Sequence, residues 1–142
     1  MSLSAIQEQF IKYLVKTDAL KFGDFTTKSG RKSPYFINLE RFCDGQSLNI
    51  LVRMYAEAII EQFGDGDKNK LENNIIFGPA YKGIPLAVAT ALIFDLEHGI
   101  KVKFFSNRKE SKTYGEKSDS LGAEINNSDK VKEMIQGIIG KK

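Results

Sequence analysis

The 142-residue chain contains no tryptophan, a single cysteine and a single histidine. One cysteine, Cys43, cannot form a disulfide within the chain, so a disulfide-stapled scaffold is excluded. One histidine, His98, leaves too few nitrogen and sulfur ligands for a zinc module. A membrane span needs roughly 18 unbroken apolar residues, and the longest apolar segment, residues 84–96, is interrupted by a proline, a threonine and an aspartate. The first residues lack a basic stretch followed by an apolar block, which argues against a signal peptide. A cytoplasmic protein is expected.

The composition is that of a globular protein, with 42% hydrophobic and 27% charged residues. A chain of this length buries one core, so a single domain over residues 1–142 is expected. The net charge of +3 is unevenly distributed, because residues 21–41 carry five basic and two acidic side chains and residues 101–117 carry six and two. Two basic islands on an acidic remainder favour an anionic ligand, although solvated surface lysines produce the same pattern.

Two amphipathic helices are predicted in the first half of the chain. Ser4 and Gln7 have capping-box spacing before apolar residues that recur every three to four positions, which predicts a helix over about residues 4–16. Ser47 is predicted to cap a second helix, and Gly64 to end it. Between the helices, two short β segments are predicted at 22–27 and 35–39, with a turn at residues 28–31 between them.

The second half has the pattern of an α/β protein. Residues 74–77 form a short apolar segment, residues 84–98 have a helical pattern, and residues 100–105 form a second apolar segment. A strand, loop, helix and strand within about 30 residues predict a βαβ unit with parallel strands. A short terminal helix is predicted over 129–139.

Two loops follow the predicted parallel strands, at the positions where open α/β sheets bind ligands. Residues 78–83 have two glycines, a lysine and a following helix N-terminus, a combination that suits an anion. Glycines in such a turn also serve as a simple tight connection. Residues 106–120 are hydrophilic and hold several donors for phosphate oxygens, although a solvated loop has the same composition.

Three segments together resemble the orotate phosphoribosyltransferase family. They are FGDFTTKSGRKSPYF at 22–36, FGPAYKGIPL at 77–86 and NRKESKTYGE at 107–116. The resemblance covers about residues 8–117 and implies an α/β fold of phosphoribosyltransferase type. That fold has a parallel sheet with flanking helices, an N-terminal helix and hood over residues 1–42, and an α/β core portion over 43–142.

The resemblance also implies an activity: transfer of the 5-phosphoribosyl group from phosphoribosyl pyrophosphate (PRPP) to orotate, giving orotidine 5′-phosphate and pyrophosphate in pyrimidine biosynthesis. It implies Mg²⁺, bound mainly through the substrate pyrophosphate, with no metal-ligating side chain assigned. It further implies a homodimer in which loop 106–120 reaches the neighbouring subunit, and neither a nucleic-acid nor a membrane partner.

Individual roles follow from the matching motif positions. Phe36 and Ile37 are expected to lie against the orotate ring, with Ile37 replacing an aromatic residue that the family often has. Lys112 is expected to be the catalytic lysine that stabilises the transition state. Tyr114 stands where the family often has histidine, so it donates a hydrogen bond without carrying positive charge. The residues expected to bind PRPP are Lys28, Tyr81, Lys82, Arg108, Lys109, Lys112 and Tyr114.

The C-terminal part departs from the family pattern. Family members continue with a strand ending in two acidic residues and a Thr/Gly-rich loop that holds the ribose 5′-phosphate, and neither follows Gly115 here. The chain is therefore expected to be C-terminally truncated and, alone, to have little or no activity. One alternative is a catalytically inactive homologue that binds polyanions or pairs with other subunits. Another is a nucleic-acid binder that uses Phe36, Phe104 and Phe105 as stacking platforms, but the basic residues are few for that role.

The catalytic assignment of Lys112 leads to a test in an active protein that contains this segment. Lys112→Ala should lower kcat far more than it weakens PRPP binding, because a residue on a loop that closes over the substrate acts mainly in the transition state. Turnover kinetics and a separate PRPP-binding titration measure the two effects. A loss of binding with unchanged turnover would contradict the catalytic role.

Overall fold

The computed structural model describes residues 2–110, 115, 120–123 and 131–133, the last of these through their backbone. The chain divides into two compact units, with the boundary between Met54 and Tyr55. The expectation of a single domain remains a prediction. In the described part of the chain, no helix has both the length and the apolar character that crossing a membrane requires.

The first unit begins with a helix and a hairpin. Its elements are α1 (Ala5–Lys16), β1 (Leu20–Thr26), β2 (Lys32–Ile37), a 3₁₀ turn (Leu39–Arg41) and the start of α2 (Gly45–Phe63). The predicted capping box of α1 is present, because the Gln7 N–H donates to Ser4 Oγ at 3.3 Å and the Ser4 N–H donates to Gln7 Oε1 at 2.9 Å. These bonds satisfy two backbone donors at the start of the helix.

The two predicted β segments are also present, and they pair as a hairpin. β1 and β2 pair in antiparallel fashion, with Leu20 opposite Ile37 and an irregularity in the register between Phe22 and Phe25. The turn is closed by the Thr27 N–H, which donates to the Arg31 carbonyl at 2.9 Å. Both strands begin earlier than the sequence pattern indicates.

The N-cap predicted for α2 is wrong by three residues. The helix begins at Gly45, directly after Asp44. The Ser47 N–H donates to Asp44 Oδ1 at 2.9 Å, and the Asp44 N–H donates to Ser47 Oγ at 3.4 Å. Both residues have side chains suited to an N-cap. In the structure Asp44 is the N-cap, and Ser47 lies inside the first turn and bonds back to it. The bond from the Ser47 backbone holds the pKa of the Asp44 carboxyl below its ordinary value of 3.8.

The second unit is built on a four-stranded sheet. A 3₁₀ turn (Lys68–Leu71) precedes it, followed by β3 (Ile75–Phe77), α3 (Gly83–His98), β4 (Lys103–Asn107), β5 (Ser120–Gly122) and β6 (Val131–Glu133). The strand order is β5-β4-β3-β6, and β3 and β4 are parallel. Because α3 connects these two strands, the predicted βαβ unit and the α/β fold class are confirmed.

Three features of the sheet differ from the expectations. β4 starts at Lys103 rather than at residue 100, and it extends to Asn107, although the sequence predicts that the loop begins at residue 106. β5 is antiparallel to β4, so the sheet is mixed rather than parallel. Residues 131–133 form β6, parallel to β3, where a helix was predicted. The helix prediction is wrong there because pairing with the open edge of β3 outweighs a weak local pattern.

The core of the second unit determines where β3 and β4 end. Ile75, Phe94 and Ile100 are fully buried, and α3 packs against both β3 and β4. The helix ends at Gly99, whose φ of 63° is left-handed and whose N–H donates to the Asp95 carbonyl at 3.1 Å. This C-cap, predicted from the sequence, turns the chain back into the sheet. The carboxyl ends of β3 and β4 consequently lie at the same edge.

The cap of α2 should make stability depend on pH. A carboxyl whose pKa is lowered by folding stabilises the folded state above its unfolded value, and this contribution is lost as the pH falls through the lower folded value. Asp44→Ala should therefore lower Tm at neutral pH, and the difference from wild type should shrink below pH 3.8. Thermal melts across this range check it, with the exposed Asp24→Ala as control. A pH-independent difference would contradict the assignment.

Candidate functional site

The loop between β3 and α3 is compressed against the start of the helix. A Cβ atom on Gly78 would overlap the Gly83 carbonyl oxygen and lie 2.6 Å from Ala87 Cβ. A Cβ atom on Gly83 would lie 2.6 Å from Pro79 Cδ. Both glycines are therefore required by the close approach of strand and helix. The two glycines thus form a tight connection between strand and helix, which is one of the two roles that the sequence predicts for them. This connection positions the residues between them.

Backbone hydrogen bonds close the loop into the helix. The Gly83 N–H donates to the Pro79 carbonyl at 2.9 Å, and the Ile84 N–H donates to the Tyr81 carbonyl at 3.2 Å. Lys82 stands at the N-cap position with no capping bond from its side chain, and the first turn of α3 has no acidic residue. The positive end of the helix dipole and the Lys82 ammonium therefore add at this end of the helix.

The end of β4 is tied to the same loop. The Gly78 N–H donates to the Phe105 carbonyl at 2.9 Å. The Ala80 N–H donates to Asn107 Oδ1 at 2.9 Å. Just beyond the strand, Lys109 Nζ lies 5.2 Å from the centroid of the Tyr81 ring. Residues 78–83 and 107–110 thus form one cluster at the carboxyl edge of the sheet.

The cluster is positively charged and open to solvent. Lys82, Arg108 and Lys109 are exposed, and Tyr81 is 59% exposed. The Arg108 Nε–H donates to the Ser120 carbonyl at 3.2 Å, which holds the arginine along β5. A cation over an exposed aromatic ring contributes about 0.5–1 kcal/mol, so an anionic ligand can draw Lys109 away from Tyr81. The arrangement suits a phosphate-bearing ligand.

The remaining residues assigned from the sequence belong to the first unit or lie outside the described residues. Lys28 is exposed in the β1–β2 turn of the first unit. Phe36 and Ile37 lie on β2 and are 49% and 40% exposed, and the Phe36 ring is tilted against that of Phe25, with the ring centroids 5.7 Å apart. These residues present apolar surface that a flat ligand can cover. Lys112 and Tyr114 lie outside the described residues.

Sequence reasoning missed the structural part played by Asn107, which it treated only as the start of a basic loop. An asparagine at the end of a strand is a usable signal, because its short side chain often bonds nearby backbone. The neighbouring Ser106 is fully buried, and its hydroxyl has no hydrogen-bond partner within the described part of the chain. No sequence pattern indicates that feature.

Direct metal binding by a protein requires several ligating side chains close together. Among the positions that the structure describes, no group of three or more histidine, cysteine, aspartate or glutamate side chains could hold a metal ion. The cluster at the sheet edge is cationic, which is the opposite of what a divalent cation requires. The described residues thus do not fit a metal held by the protein alone.

Two curated proteins similar to this chain are orotate phosphoribosyltransferases. The chain is 46% identical over 125 residues to the orotate phosphoribosyltransferase of Clostridium acetobutylicum, covering 88% of this chain and 53% of that protein. It is 43% identical over 129 residues to the orotate phosphoribosyltransferase of Clostridium beijerinckii, covering 91% and 55%. The chain spans about half the length of the curated relatives it matches. No family model matches it.

Two solved structures with folds similar to this chain come from an orotate phosphoribosyltransferase and a UMP synthase. The crystal structure of orotate phosphoribosyltransferase from Francisella tularensis superposes with a TM-score of 0.67 at 36% identity, covering 89% of this chain and 53% of that one. The UMP synthase of Leishmania donovani gives a TM-score of 0.61 at 25% identity, covering 91% and 24%. The fold is therefore that of the phosphoribosyltransferases, as the three sequence motifs indicated.

The compression of the β3–α3 loop predicts the effect of adding one methyl group. Gly83→Ala should destabilise the protein by about 1–3 kcal/mol, because the new Cβ must displace Pro79 or the backbone of Gly78. Gly45→Ala is the matched control, since a Cβ there meets nothing within 4 Å. Urea denaturation of both variants measures the difference. Equal stability of the two variants would contradict the close approach.

Proposed function

We propose that this chain, a homologue of orotate phosphoribosyltransferases over about half of their length, takes part in the reaction that those enzymes catalyse. In that reaction the 5-phosphoribosyl group of PRPP is transferred to orotate, and orotidine 5′-phosphate and pyrophosphate are formed. The product feeds UMP synthesis. The protein would thus be a pentosyl-transferring glycosyltransferase of the cytoplasm.

The observation that carries the proposal is the cluster at the carboxyl edge of β3 and β4. Two loops that are about 27 residues apart in sequence are joined by the Ala80–Asn107 hydrogen bond and by the contact of Lys109 with Tyr81. The cluster gathers three cationic side chains beside a helix N-terminus. Pyrophosphate is a compact polyanion, and such a site supplies both positive charge and oriented donors for its oxygens.

The proposed chemistry is displacement of pyrophosphate from the ribose C1. The C1–oxygen bond breaks and its electron pair leaves with pyrophosphate, while a ring nitrogen of orotate bonds to C1 through an oxocarbenium-like state and releases its proton. Negative charge grows on the departing pyrophosphate, and donors placed there beforehand stabilise it more than they stabilise the bound substrate. Lys82, Arg108 and Lys109 are assigned to this task. Lys112 is assigned as the catalytic lysine and Tyr114 as a further PRPP donor.

The orotate side of the proposal rests on the first unit. Phe36 and Ile37 expose apolar surface on β2, which would cover the face of a planar ring. Lys28, in the adjoining turn, is assigned to PRPP. We retain the single-domain organisation and the homodimer with loop 106–120 reaching the neighbouring subunit as parts of the proposal, with no nucleic-acid or membrane partner.

The proposal includes Mg²⁺ as an ion that binds together with the substrate PRPP. The described residues offer no group of three metal-ligating side chains, so the ion would be held mainly by the pyrophosphate oxygens of PRPP. The steps derived above accordingly use only side chains of this chain.

Calorimetric titration with pyrophosphate and Mg²⁺ tests the anion site. Lys109→Ala should weaken binding about tenfold to a hundredfold, because it removes one charge-assisted hydrogen bond worth about 1.5–3 kcal/mol. Lys101→Ala is the matched control, since it removes an exposed lysine that precedes β4. Equal effects of the two substitutions would reduce the site to general surface charge and contradict the proposal.

Orotate binding separates the proposal from its alternative. A polyanion-binding or subunit-pairing module would take up pyrophosphate and ignore orotate, whereas the proposed enzyme binds both. Phe36→Ala should weaken orotate binding and leave pyrophosphate binding unchanged. Pyrophosphate binding without measurable orotate binding would favour the alternative.

A further inference from the structure

We infer that Asn107 is a positioning residue for the proposed pyrophosphate site, acting through the backbone of the β3–α3 loop. The inference rests on the proposed function and adds to it a residue that the sequence motifs assign no role. Asn107 is the last residue of β4. Its side chain joins the two loops that hold the cationic groups.

The hydrogen bond from Ala80 to Asn107 continues the parallel ladder by one step. Phe77 pairs with Phe105 in the last registered position, and the Gly78 N–H donates to the Phe105 carbonyl. In a parallel ladder, alternate residues donate, so the next bond would join the Ala80 N–H to the carbonyl two residues beyond Phe105. The loop leaves the sheet at this point, and the Asn107 side-chain oxygen accepts the bond instead, at 2.9 Å.

This bond directly precedes the proposed site residues in both loops. Tyr81 and Lys82 come directly after Ala80, and Arg108 and Lys109 come directly after Asn107. The loop is closed on its other side by the contact of Gly78 with Gly83 and by the Gly83 N–H bond to Pro79. Losing the Asn107 acceptor would therefore free the middle of the loop while its two ends stay in place.

The bond is exposed, which makes it suited to orientation rather than to stability. Asn107 is exposed and Ala80 is half-buried, so water replaces a lost partner at small cost in the free energy of unfolding. Ligand affinity is more sensitive, because loop ordering then has to occur on binding. The expected signature is weakened anion binding with nearly unchanged stability.

The first experiment measures the loop and the affinity in the same variants. Asn107→Ala should speed amide hydrogen exchange at Ala80 and weaken binding of pyrophosphate with Mg²⁺ about tenfold. Asn107→Asp keeps an acceptor oxygen and should preserve the protection of Ala80. The control is Asn74→Ala, which removes a bond from Asn74 Nδ2 to the Lys70 carbonyl of 3.0 Å before β3. Tm of Asn107→Ala should match that of this control.

The second experiment separates positioning from direct contact with the anion. In a Lys82→Ala background and in a Lys109→Ala background, Asn107→Ala should lose part of its effect on affinity, because a positioning residue acts through the groups it presents. Full additivity in both backgrounds would show that the Asn107 amide itself meets the ligand and would overturn the inference. Unchanged pyrophosphate affinity in Asn107→Ala would overturn it as well.

Failure of the proposed function gives a different result. If the wild-type chain binds no pyrophosphate, both the proposed site and the role of Asn107 within it are contradicted. If the wild type binds and Lys109→Ala weakens binding while Asn107→Ala does not, the proposed site stands and only the positioning role is wrong.

Discussion

The site depends on the close approach of β3 to the first turn of α3. Gly78 and Gly83 face each other so closely that neither position has room for a side chain. The two glycines let the backbone pass tightly from strand to helix, and the exposed residues Tyr81 and Lys82 lie in the short loop between them. The part of the proposed anion site that lies between β3 and α3 depends on this close approach, because oriented groups bind a ligand without first having to be ordered.

Parallel pairing of β3 with β4 supplies the second half of the cluster. Since parallel strands end at the same edge, the residues after β4 arrive beside the loop that follows β3. The hydrophobic core enforces this pairing: Phe94 of α3 and Ile75 of β3 are fully buried. Stability of the apolar interior and placement of the charged loops are thus consequences of one arrangement. Lys82 lies far from Arg108 and Lys109 along the sequence, and the fold brings their positive charges to the same edge of the sheet.

Much of the fold could be predicted because its signals are local. The capping box of α1 needs only Ser4 and Gln7, and the end of α3 needs only a glycine able to adopt a left-handed φ. Predictions were wrong where two local solutions compete or where a distant strand decides. Asp44 and Ser47 are both good N-caps, and the buried position of Ser47 inside the first turn leaves the cap to Asp44. Residues 131–133 pair with β3, and the local sequence pattern that predicted a helix contains no information about this distant pairing.

The sequence by itself determined the fold class, the three motifs and their relation to orotate phosphoribosyltransferases, because residue types and spacing along the chain carry that information. Only the tertiary structure decided which of those residues meet. Lys109 lies against Tyr81, and Asn107 accepts the hydrogen bond of Ala80, although 27 residues separate the two members of the latter pair. Such contacts depend on strand register and on how closely a helix approaches a sheet. Strand register and the distance between helix and sheet are set by packing in three dimensions, and the pattern of residues along the chain does not contain them.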